Sequence, residues 1–108
     1  MRLYDYEAFV DEMWKGQDKN YTMIALAGEV GELLNIYKKS LRDPAYYQDH
    51  NKDWHRMIVH ELGDILYYLT RVCHEHGTTL GAVMDANDTK LRLRHAGHPN
   101  STGVSQSP

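Results

Sequence analysis

Four acidic side chains in this sequence are spaced for chemistry: Glu29 and Glu32, then Glu61 and Asp64. Each pair has the form acid-x-x-acid inside a segment with helical periodicity. Residues three apart share one helix face, with Cβ atoms about 5–6 Å apart, so each pair directs two carboxylates to the same side. Two such helices packed antiparallel would converge four carboxylates on one place. A hard cation such as magnesium wants that ligand set, because it takes oxygen donors and lets substrate phosphates complete its octahedron. Manganese is an alternative ion with the same preference for oxygen.

Acid-x-x-acid pairs are also common on solvated helices, so their surroundings matter. At about 100° per residue, Ile58, Ile65, Leu69 and Val72 form one apolar stripe. Glu61 falls at its edge, with Asp64 one step further round. A carboxylate there is expensive to bury unless a charge partner or a metal compensates. In the preceding helix Met23, Ala27, Val30, Leu34, Tyr37 and Leu41 make the expected core stripe. Glu29 and Glu32 point away from it, towards a weaker strip containing Ala25 and Ile36. A helix apolar on two sides is expected to be covered on both.

A second group lies near the end of the chain. Asn87, Lys90 and Arg94 fall on the same side of their helix as Leu80, Val83, Met84 and Leu91. One reading is a buried ion network with the glutamates. The other is a phosphate-binding set, Arg for bidentate contact and Lys as a point charge.

The elements that must position these groups follow from start and stop signals. A first helix is expected over 5–15, with Asp5 as N-cap, an apolar side of Phe9, Val10, Met13 and Trp14, and Gly16 as the stop. Asn20 or Thr22 caps a second, running to about Lys39. Residues 42–53 are expected to be a loop, since Pro44 disfavours helix at Asp43. Asp53 caps a third helix, 54–76, closed by Gly77. Thr78 or Thr79 caps a fourth, running to about His95. Residues 98–108, rich in Ser, Gly and Pro, are expected to be a disordered tail after a domain spanning 1–97. The expected fold class is all-α, a four-helix bundle-like subunit.

With 108 residues, 42% of them hydrophobic, the chain reads as one small domain. A chain this short buries only about 60–65% of its unfolded surface. A second subunit supplying cover would therefore explain the two-sided helix. The formal net charge of −3, without a basic tract, argues against nucleic-acid binding through phosphate neutralisation. The single cysteine, Cys73, excludes an internal disulfide framework and fits core filling in a reducing compartment. No apolar run approaches 18 residues and no signal-peptide pattern is present, so a cytoplasmic protein without a membrane partner is expected. The seven histidines do not converge as zinc ligands and are read as surface groups.

Three strings taken in order carry a family resemblance. Ala25-Leu26-Ala27-Gly28-Glu29-Val30-Gly31-Glu32-Leu33, then Glu61-Leu62-Gly63-Asp64-Ile65-Leu66-Tyr67-Tyr68-Leu69, then Asn87-x-x-Lys90-x-x-x-Arg94 resemble the MazG-like all-α nucleoside triphosphate pyrophosphohydrolases. Many members carry Glu-Glu-x-x-Glu in the first string. Gly28 stands here in place of the first glutamate, a form that looks more like the branch with dCTP pyrophosphatases. The resemblance implies magnesium-dependent hydrolysis of a nucleoside triphosphate to monophosphate and pyrophosphate, in nucleotide pool control or house-cleaning. It implies that Glu29, Glu32, Glu61 and Asp64 bind metal, that Asn87, Lys90 and Arg94 hold phosphates, and that the protein is a homodimer or homotetramer.

In-line attack of water on phosphorus needs charge neutralisation and alignment more than covalent help. A carboxylate not saturated by metal, Glu32 or Glu29, would orient the water. The base would stack on an aromatic ring, Tyr68 or Trp14. Two further readings stay open: a phosphoribosyl-ATP pyrophosphohydrolase, and a helical oligomerisation module that binds nucleotide or metal without hydrolysis.

Overall fold

The computed structural model describes residues 1–16 and 18–97, and the expected tail at 98–108 lies outside the described residues. Among the described residues the chain is all-α, with five helices: α1 (Leu3–Met13), α2 (Lys19–Arg42), α3 (Pro44–Asp49), α4 (Asn51–Glu75) and α5 (Leu80–Ala96). The fold class is as expected, but the expected count of four is corrected to five.

The additional helix is α3, inside the segment expected to be a loop. Pro44 does stop α2, with Asp43 outside the helical region at φ −133° and ψ 65°. The same proline then occupies the first turn of a new helix, where its missing N–H is no loss and its fixed φ is already helical. Three start signals also shift, and for α4 the helix begins at Asn51 with His50, not Asp53, at the N-cap. Arg2 caps α1 and Asp5 sits at N3, its carboxylate accepting the Arg2 backbone N–H at 3.3 Å. Asp18 caps α2, accepting from the Asn20 backbone N–H at 2.7 Å.

The α4–α5 connection follows the sequence closely. The Thr78 N–H donates to the Cys73 carbonyl at 3.0 Å and the Gly77 N–H to that of His74 at 3.2 Å. This is a Schellman ending, with Gly77 in the left-handed region at φ +74°. Thr79 then caps α5, its hydroxyl accepting the Ala82 N–H at 3.0 Å. Nothing lies within 4 Å of a Cβ built on Gly77, so the backbone alone sets the penalty for a side chain there. Gly77→Ala should destabilise the fold by roughly 1–2 kcal/mol. Thermal denaturation would register this as a fall of several degrees.

The long α2 and α4 form the main hairpin, with α3 packed at its closed end. Of α1 and α5, each touches α4 and the other; neither touches α2. The buried apolar side chains are few: Val10, Ile36, Ile58, Cys73 and Leu80. Cys73 is the core filler its position suggested.

The face that α2 turns to α4 reverses expectation. The strip expected to be weaker is inside: Ile36 is buried, and Ala25, Glu29 and Leu33 are half-buried. The expected core stripe faces out, with Leu34 62% and Leu41 82% exposed. α4 presents Glu61 and Ile58 to its neighbour, and α2 meets it with the face that carries Glu29. The broader apolar stripe of α2 is left uncovered within one chain. The same holds for much of α5, where Leu80 is buried but Val83, Met84 and Leu91 are exposed.

Candidate metal centre

Midway along the α2–α4 hairpin, Glu29 faces Glu61 and Asp64. One carboxylate oxygen from each lies within 4.8 Å of the other two. Glu61 and Asp64 share a face because they are three residues apart on α4. Glu61 and Glu29 are half-buried, while Asp64 is exposed. Glu61 Oε2 is buried without a hydrogen-bond partner. The Glu29 carboxyl is pushed above the usual carboxylate range by burial first. The hydrogen-bond contact with Glu61 and the charges of Asp64, Glu61 and Glu32 add to this.

Both features bear on whether these residues suit a cation. Like charges this close repel, and a buried carboxylate oxygen without a donor carries an uncompensated desolvation penalty. A divalent cation would relieve both. Opposed oxygens on magnesium stand roughly 4.2 Å apart, twice a bond of about 2.1 Å. An oxygen spread of up to 4.8 Å therefore closes on such an ion with small side-chain adjustments. The donor set fits a hard cation and contains no soft ligand.

Glu32 is not part of this triad. It is exposed one turn beyond Glu29, close enough for its charge to raise the Glu29 carboxyl. Four converging carboxylates were expected, whereas three converge and one stands aside. The difference lies in how α2 crosses α4: an i, i+3 pair on α2 leaves only one member facing the partner helix.

The aromatic surroundings are richer than the sequence suggested. Tyr68 is half-buried, its phenol pushed up by burial first, then by the hydroxyl of Tyr21 and the charge of Glu29. Its ring meets Tyr67 edge-on at 5.2 Å. Tyr6 of α1 stands on the other flank, its phenol raised by burial and then by Tyr67 and Asp64. Tyr21 and Tyr6 were not singled out from sequence: both sit in first turns outside the acidic strings, Tyr21 about two helical turns before Glu29 on α2 and Tyr6 on α1. Trp14, the other expected base-stacking ring, lies elsewhere: its face is covered by the Arg71 guanidinium at 4.5 Å.

Asn87, Lys90 and Arg94 are not brought to the carboxylates. Asn87 and Lys90 line a groove of about 450 Å³ with Leu69, Leu80, Val83, Met84 and Ala86, while Arg94 is half-buried further along α5. Among the described residues no ion pair joins any of them to Glu29, Glu32, Glu61 or Asp64. This excludes, within one chain, the buried ion network considered from sequence.

One functional-looking cluster was missed. His74, expected at the surface, is 12% exposed and bonded through both ring nitrogens, Nε2 to Glu7 and Nδ1 to Asp11, each at 2.7 Å. Arg71 joins it, with Nη1 on Asp11 at 2.8 Å and Nη2 on Glu75 at 2.9 Å. A single-helix wheel gives no sign of this, because the α1 and α4 partners lie 60 to 67 residues apart.

Comparison with known proteins places the chain in a family. Residues 17–98 match the MazG nucleotide pyrophosphohydrolase domain, and the chain belongs to that family. It is also similar to the "Gene 37 protein" of Mycobacterium phage L5, with 32% identity over 77 residues, covering 69% of this chain. The match spans 64% of that relative's length. No solved structure gives a significant match. Among the described residues no helix is long and apolar enough to cross a membrane.

Proposed function

We propose that this protein is a magnesium-dependent nucleoside triphosphate pyrophosphohydrolase that converts a (d)NTP to the monophosphate and pyrophosphate. The observation that carries this reading is the triad of Glu29, Glu61 and Asp64, with a buried, unpartnered oxygen on Glu61. Family membership supports the reaction class.

Glu29, Glu61 and Asp64 would hold the ion, and manganese would serve in its place. When bound, the cation neutralises phosphate charge and lowers the pKa of an attacking water. The water oxygen forms a bond to phosphorus and the α–β anhydride bond breaks, with its electron pair passing to the bridging oxygen. Glu32, outside the triad and free in solvent, is the carboxylate left to orient that water and take its proton. Tyr68, backed by Tyr21, would stack on the base; Trp14 is already occupied by Arg71.

Asn87, Lys90 and Arg94 would hold the phosphates. That no ion pair joins them to the triad among the described residues, together with the uncovered stripes of α2 and α5, supports assembly as a homodimer or homotetramer. A buried lone cysteine fits work on the cytoplasmic nucleotide pool.

The test is pyrophosphate release from a panel of dNTPs and NTPs, with magnesium and with chelator. Release from some members, lost on chelation and matched by monophosphate, is the expected result. Release that survives chelation, or silence across the panel, would overturn the assignment.

A further inference from the structure

We propose that His74 is a positioning residue: a doubly bonded imidazolium that clasps α1 to α4 and to the start of α5, so that loss of its proton releases α1. This inference is independent of the proposed reaction.

The geometry requires the charge. A neutral imidazole has one N–H and one bare lone pair, so it can donate to only one partner. Here both ring nitrogens lie 2.7 Å from carboxylate oxygens, Nε2 from Glu7 Oε1 and Nδ1 from Asp11 Oδ1. Either the ring carries two protons, or one carboxyl group carries its own. The carboxyls are the poorer choice. Glu7 also accepts backbone N–H bonds from Leu80 at 2.7 Å and Gly81 at 3.2 Å, and Asp11 also accepts from Arg71 at 2.8 Å. Each such donor favours the ionised carboxylate.

Other groups around the ring agree. Tyr4, Glu7 and Asp11 face it from α1; Arg71, Cys73 and Glu75 lie along its own helix α4; Thr79 and the Leu80 and Gly81 amides face it from α5. Burial pulls the His74 pKa down, but the hydrogen bonds to Glu7 and Asp11 and their charges outweigh this and leave it raised. The neighbouring cation Arg71 is already shared between Asp11 and Glu75.

The clasp matters because it is much of what holds α1. Val10 is the fully buried side chain of that helix, and further ties run through Glu7, Asp11, the packing of Leu3 on Gly81 and, just past its end, the Trp14–Arg71 stack. α1 also carries Tyr6 to the flank of Asp64 and Tyr67. Deprotonating His74 places a lone pair against a carboxylate. Asp11, 56% exposed, is the partner that yields, left with its Arg71 bond alone, which loosens α1 and draws Tyr6 from the triad's edge.

The direction of the effect follows from linkage. A histidine raised in the folded state contributes its stabilisation in full below about pH 6.5, its unfolded value. That contribution is lost as pH rises through the folded value. On the acid side the clasp fails only when Glu7 and Asp11 take up protons, both held below the usual carboxylate range.

The experiment is an NMR titration of the histidine rings in the full chain, assigned through the backbone. It is paired with amide exchange of residues 3–13 corrected for intrinsic rate. His74 should titrate above 6.5, and α1 protection should fall across that window, tenfold for each unit of elevation. In His74→Gln, which keeps one donor, α1 should be less protected and flat over the same range. A His74 that titrates at or below 6.5, or wild-type α1 protection unchanged through its titration, would overturn the inference. Both readouts use the wild-type chain, so the decision stands even if the variant fails to fold.

Discussion

Glu61→Gln is expected to fold as the wild type does and, under the proposed reaction, to release pyrophosphate about 10²–10⁴-fold more slowly than it. The expected size follows from the several kcal/mol of transition-state charge stabilisation that a correctly held cation supplies, at 1.36 kcal/mol per factor of ten. Glutamine nearly matches glutamate in shape, so packing against α2 survives. The substitution also removes one of three converging negative charges, and with it part of what raises the Glu29 carboxyl. Thermal stability without metal should therefore hold or increase, while the gain in melting temperature on adding magnesium shrinks. Loss of turnover with a parallel loss of fold would point to a structural role for Glu61. Retained turnover would remove the triad from the mechanism.

The second large effect is expected at Glu7, outside the triad altogether. Its carboxylate accepts from His74 Nε2 and from the Leu80 and Gly81 amides, so one side chain ties α1, α4 and α5 together. Glu7→Ala leaves an imidazolium without its inner partner and two first-turn amides without an acceptor. The expected loss is about 2–3 kcal/mol, below that of a fully buried broken pair because some solvent reaches the site. Glu7→Gln keeps an acceptor for Leu80 but not the charge, and should lose about half as much. Burial pushes the Glu7 pKa up, but its hydrogen bonds from His74, Leu80 and Gly81 hold it below the usual value. The stabilisation is thus present above the unfolded carboxylate range and lost as pH falls through the folded value. Urea denaturation at neutral and acid pH, compared between wild type and Glu7→Ala, should show the two converging in acid. A constant gap would mean that the charge of Glu7 is not what matters.

Local signals were the legible part of this chain. Gly77 and Thr79 marked the α4–α5 junction because both act through bonds made within a few residues. Pro44 was legible as a stop but not as a start, since one residue type serves both ends of a helix. The acidic strings marked the triad, yet could not show that Glu32 stands aside. That depends on the crossing of α2 over α4, which a single helix does not contain. The face of α2 was misjudged for a related reason. The wheel ranks faces by apolarity, and the richer face of α2 is the one this chain leaves uncovered. Glu7, Asp11 and His74 were invisible, because nothing in the sequence around any one of them indicates the others.

That long separation also bears on how the chain comes together. The contacts of Glu7 with His74 and Leu80 span 67 and 73 residues. α2 and α4, joined through the short α3, have a much smaller loop to close before their contacts reward it. The hairpin is thus suited to form early and α1 to join late, although α1 precedes it in the chain. During synthesis at roughly 5–20 residues per second, α1 would wait several seconds before Leu80 is made. Of α1 and the hairpin, α1 is translated first and docks second.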